Sequence, residues 1–104
     1  MSNSTNTIIR FDFGIGLNDK DTHHQRIQTV EAYKVVENVV STYTDGATIY
    51  QSRGFYKGEW EESLQMTIFG IDRATALAIC EDLKRILNQE RIALGESEVK
   101  SELI

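Results

Sequence analysis

Between Thr7 and Leu17 the chain alternates without a break. Ile9, Phe11, Phe13, Ile15 and Leu17 fall on one side, and Ile8, Arg10, Asp12, Gly14 and Gly16 on the other. A period of two over eleven residues belongs to a β-strand with one buried face; on a helix these apolar residues would scatter around the axis. A strand cannot cover its own apolar face, so the rest of the chain has to supply a sheet and a layer to pack on it. With 104 residues, 40% of them hydrophobic and 26% charged, the chain has the length and make-up of one globular domain. Residues 1–6, small and polar, are expected to form a flexible N-terminal tail, residues 7–95 a single domain, and residues 96–104 a charged C-terminal tail or short edge strand.

After the polar break at Asn18–Asp21, Thr22 and Gln25 have the spacing of a capping box and predict a helix start. The apolar stripe Ala32, Val35, Val36, Val39, Val40, Tyr43 continues it on one helical face, and Asp45-Gly46 ends it. A second strand is expected from about Ala47 to Tyr56, a turn at Lys57-Gly58-Glu59, and a third strand from Trp60 to Phe69. Asp72 suits the N-cap of a second helix, whose stripe is Ala76, Ile79, Cys80, Leu83, Ile86 and Leu87. Arg91–Leu94 reads as a short fourth strand.

The order strand, helix, strand, strand, helix, strand has a consequence. Right-handed crossovers put both helices on one face of a four-stranded antiparallel sheet, with strands one and three central. The expected fold is α+β: a two-layer ferredoxin-like βαββαβ sandwich. Its second sheet face has no cover, and should present Arg10, Asp12, Thr48, Tyr50, Ser52, Glu61, Ser63, Gln65 and Thr67.

Several function classes are disfavoured. The one cysteine, Cys80, lies in a helical apolar stripe, so no internal disulfide forms and a cysteine zinc site is not indicated. Eleven basic against sixteen acidic residues leave a charge of −5, which opposes nucleic-acid binding. No apolar run is long enough for a membrane span, and the N-terminus lacks signal-peptide features, so a cytoplasmic protein is expected. No nucleophile elbow, phosphate loop or Ser-His-Asp set is present, and no catalytic residue, metal or cofactor is assigned.

What remains is recognition chemistry. The segment from Tyr50 to Trp60 gathers Tyr50, Arg53, Phe55, Tyr56 and Trp60, the residue types that dominate binding surfaces. Arg53-Gly54-Phe55-Tyr56 invites comparison with the base-stacking run of RNA-recognition motifs, but it lies on the second strand and lacks the second alternating aromatic. Glu62 should point inward with Trp60 and Leu64, where it either snorkels out or pairs with Arg53 or Lys57. Arg10 and Asp12 on the open face, and the adjacent His23 and His24 at the expected helix start, are secondary candidates. Adjacent helical histidines diverge by about 100°, so they do not readily share a metal ion with Asp19 or Asp21.

Asp45-Gly46 before the second strand, Gly54-Phe55-Tyr56 in the hairpin, Glu62-Ser63 opening the third strand and Gln89-Glu90-Arg91-Ile92 before the fourth complete the pattern. The layout resembles small ferredoxin-like proteins of unknown function from bacteria and phages. That resemblance implies the fold and a tendency to self-associate, and it carries no chemistry. A short acidic chain of this kind also looks like phage-encoded inhibitors of host defence. Three readings follow: a non-enzymatic homo-oligomeric module that holds a small nucleotide-like molecule or a protein; a small enzyme with a pocket at a subunit interface, using Glu62, Arg53 or His24; and an acidic inhibitor of a nucleic-acid-binding partner.

Overall fold

The computed structural model describes residues 7–102 and Ile104, and for Tyr56 the backbone alone. The tail expected at residues 1–6 lies outside the described residues. The elements are β1 (Thr7–Gly16), α1 (Thr29–Val40), β2 (Thr48–Tyr56), β3 (Glu59–Phe69), α2 (Arg73–Ile86) and β4 (Ala93–Lys100). The four strands form one antiparallel sheet in the order β2-β3-β1-β4, with both helices on one face. This is the expected ferredoxin-like sandwich, with β1 and β3 at its centre.

The alternation of β1 becomes the core. Phe11, Phe13, Ile15 and Leu17 are buried with Leu64, Met66 and Ile68 of β3, against Ala32, Val36 and Val40 of α1 and Ala76, Ile79 and Leu83 of α2. The side chain of Asp72 accepts the Thr75 N–H at 2.7 Å and caps α2. Asn88, with a φ of 50°, turns the chain out of that helix, while the Gln89 N–H reaches the Lys84 carbonyl in a Schellman closure. Burial raises the pKa of the Cys80 thiol, as befits a core position rather than a nucleophile.

Two expectations need correction. The helix does not start at Thr22: α1 begins at Thr29, and residues 17–28 form a loop closed by a bridge between Asn18 and Gln25. The Thr22 hydroxyl accepts the His24 N–H, a local loop bond instead of a helix cap, and Gln25 donates to the Ile27 carbonyl and the Thr29 hydroxyl. The loop is held by Asp19, only 6% exposed, whose carboxylate accepts the N–H groups of Asp21 and Thr22 and the amide of Asn88. Those bonds, the Asn88 one foremost, bring its pKa down to about 2. The fourth strand is also longer and later than Arg91–Leu94. It runs Ala93–Lys100 and pairs with β1 from Gly14↔Ala93 to Thr7↔Lys100.

Candidate functional site

The β2–β3 hairpin outgrows the sheet. Pairing of β1 with β3 stops at Gly16↔Ser63, whereas β2 and β3 continue to Tyr56↔Glu59. Beyond Glu62, whose carbonyl accepts the Leu17 N–H, the two strands form a ribbon without further strands beside them. Its turn is the two-residue Lys57-Gly58, both at positive φ (51° and 80°), the geometry that matches the twist of paired strands.

The ribbon has two unlike faces. On the side continuous with the core, Arg53, Phe55, Trp60 and Glu62 come together past the reach of the helices. Phe55 and Trp60 are register partners with ring centres 5.0 Å apart and planes tilted by 60°. The Arg53 guanidinium lies 5.7 Å from the Trp60 ring centre and pairs with Glu62 at 3.1 Å, so the carboxylate takes the expected partner. The two rings are each 62% exposed. Exposed ion pairs of this kind contribute at most about 1 kcal/mol, so the pair orients the guanidinium more than it stabilises the fold. Tyr50 does not join this group. It faces the opposite side of the sheet, 54% exposed, opposite Gln65. The side chain of Tyr56 lies outside the described residues.

The uncovered sheet face carries the expected polar row, and the structure links it. Arg10 pairs with Asp12 at 3.0 Å and stacks 5.9 Å from the Phe69 ring centre; the Thr67 hydroxyl donates to Asp12 at 2.7 Å. Ser52 and Ser63 share a 2.6 Å hydrogen bond, and Gln65 donates to Ser52. At the base of the ribbon the Glu61 carboxylate accepts the Asn18 N–H at 2.8 Å and lies directly over Gly16. A Cβ at position 16 would meet that carboxylate at 2.5 Å, so the arrangement depends on glycine. Sequence reasoning assigned Glu61 to this face but gave it no role. The signal was the coincidence of Gly16 and an outward carboxylate near the end of the β1–β3 pairing.

His23 and His24 are exposed in the 17–28 loop, His23 at a φ of 62°. Among the described residues no group of three or more His, Cys, Asp or Glu side chains could hold a metal ion. The acidic residues of α2 do not form an unbroken surface: Lys84 pairs with Glu81, Arg85 with Asp82, and Arg73 with Glu96. Among the described residues no helix is long and apolar enough to cross a membrane.

The fold recurs in proteins of known structure. A phage SAM lyase in its apo state matches with a TM-score of 0.67 and 17% identity, over 100% of this chain and 98% of the lyase. The phage SAM lyase in complex with S-methyl-5'-thioadenosine matches at 0.65 and 18% identity over the same shares. A DUF3240 family protein from Shewanella baltica OS155 matches at 0.60 and 10% identity, over 92% of this chain and 94% of that one. At these identities the likeness is one of fold. No family model and no curated protein matches the sequence.

Proposed function

We propose that this chain is a self-associating, cytoplasmic binding protein for a small adenosine-type molecule, held against the ring face of the β2–β3 ribbon. The observation that carries the reading is the Phe55–Trp60 pair, bare of any cover from its own helices, with Arg53 and Glu62 beside it. A planar base stacked on such rings gains about 1–3 kcal/mol, and the neighbouring guanidinium and carboxylate supply hydrogen bonds that orient it. Two exposed rings side by side also favour a second copy as the lid over the bound molecule.

The ligand class is suggested by the phage lyase with S-methyl-5'-thioadenosine, which shares the fold over its full length. S-adenosylmethionine, the substrate in that protein's name, bears a positively charged sulfonium, and the −5 charge of this chain favours the approach of a cation. Sequestering such a molecule would suit a phage-encoded anti-defence protein.

An enzymatic version has one specific support, the same full-length likeness to a lyase. S-methyl-5'-thioadenosine is what remains of S-adenosylmethionine when the bond between sulfur and the amino-acid side chain breaks. The electron pair stays on sulfur, which leaves as a neutral thioether and needs no proton. The carbon chain completes its valence by closing on its own carboxylate, which needs no proton acceptor, or by giving a neighbouring proton to a base, for which the Glu62 carboxylate stands at the ribbon. A site for this step needs to hold and orient the substrate, so the lack of a nucleophile–histidine set is no obstacle.

Titration calorimetry with S-adenosylmethionine and S-methyl-5'-thioadenosine tests both versions. Binding of at least one is expected, weakened about tenfold or more in a Phe55→Ala, Trp60→Ala double variant. No binding of either compound to the intact chain, or full binding by the double variant, overturns the proposal. Chromatographic appearance of S-methyl-5'-thioadenosine, lost in Glu62→Gln, selects the enzyme; binding without turnover selects the sequestering protein.

A further inference from the structure

At the other end of β2, about 20 Å from Phe55 along the strand, a cleft of about 200 Å³ opens between α1, the 44–47 connection and the start of β2. Val40 and Ile49 supply its apolar surface, and Tyr33 forms a wall. The Tyr33 hydroxyl donates to the Ile49 carbonyl at 2.7 Å, which fixes the ring against the strand. Glu37 and Asp45 bring two carboxylates, and the lining contains no Lys, Arg or His. Among the described residues neither carboxylate has an ion-pair partner. α1 also ends here, with no basic residue in its last turn; its last carbonyls are taken up by the Ser41 and Thr42 hydroxyls and by the backbone N–H groups that follow. Position 46 is glycine, and a Cβ there would meet nothing within 4 Å, which leaves the mouth open.

Two carboxylates and an aromatic wall favour positive charge, while Val40 and Ile49 favour an apolar body. We propose that this cleft binds a small organic cation, an ammonium or sulfonium group carried on a short apolar frame. The volume lies below the roughly 300–1,000 Å³ of pockets for larger ligands, so the occupant is the size of a single head group. A cation against Tyr33 is attracted to the negative face of the ring. The site is independent of the ribbon, and its failure leaves the ribbon reading untouched.

The test uses the full chain, labelled for amide NMR, and choline chloride as the probe. The controls are sodium chloride at equal ionic strength and the neutral isostere of choline, in which a tert-butyl group replaces trimethylammonium. Choline is expected to give saturable shifts at the amides of Gly46, Ala47 and Ile49. A Glu37→Gln, Asp45→Asn double variant, altered only at exposed side chains, is expected to bind it at least fivefold more weakly with the rest of its spectrum unchanged. Shifts that do not saturate, an isostere that binds as well as choline, or an unchanged affinity in the double variant would each overturn the proposal.

Discussion

Strands β2 and β3 pass through two environments on the same face. In the half beneath the helices, Leu64, Met66 and Ile68 are buried at the centre of the core. In the ribbon, Trp60 and Phe55 stand on that face in the same alternation and are mostly exposed. The pleat is continuous, but the cover is not. Alternation therefore reports which way a side chain points and says nothing about whether anything lies over it. The consequence is a division of labour: burial in one half stabilises the sheet, and the other half leaves large rings available for contact.

The division can be broken most forcefully from the covered side. Phe13→Ala removes a fully buried ring that packs in the core with Leu64 and Met66, and is expected to cost about 3–5 kcal/mol in urea unfolding. A cost below about 1 kcal/mol would mean that this half is not the stabilising one.

The boundary between the halves is braced by the 17–28 loop, since Leu17 and Asn18 hold the base of the ribbon and Asp19 holds the loop. The Asp19 carboxyl has a pKa of about 2 in the fold against an ordinary 3.8. Because the folded value is depressed, its contribution is fully present above about pH 4 and is lost as pH falls toward about 2. Urea midpoints measured through that window should fall in the native chain and fall less in Asp19→Asn. Equal slopes would remove Asp19 from the brace.

The smallest effect on stability belongs to the bare half. Trp60→Ala is expected to change unfolding by under about 1 kcal/mol, because most of the ring is already in water and only its exposed contacts with Phe55 and Arg53 are lost. A core-sized loss would erase the contrast between the two halves.

The fold was legible because its two central strands carry clean alternation and its two helices carry continuous stripes. Asp72 showed the start of α2 for a local reason, a short carboxylate one turn before the stripe. Thr22 misled for an equally local reason. A hydroxyl bonding to a nearby N–H serves a loop as well as a helix, and spacing alone does not separate them. The length of β4 was hidden because Glu96, Glu98 and Lys100 occupy an edge, where even the helix-side positions tolerate charge. Of the candidate site, the Arg53–Glu62 pair could be read from cross-strand register. The overhang could not, since it depends on where β1 stops. The α1–β2 cleft was missed because Tyr33 and Glu37 of α1 meet Asp45 of the connection and Ile49 of β2 only after the helix folds back on the sheet.

The pairing of Thr7 with Lys100 brings the first and last strands to one corner, at the opposite end of the sheet from the Lys57-Gly58 turn. A reporter or affinity handle attached at Thr7 or Lys100 departs from that corner and leaves the aromatic tip unobstructed. Joining Thr7 and Lys100 with a short linker and reopening the chain at Lys57-Gly58 would give a circular permutant that keeps every strand neighbour while severing only the turn.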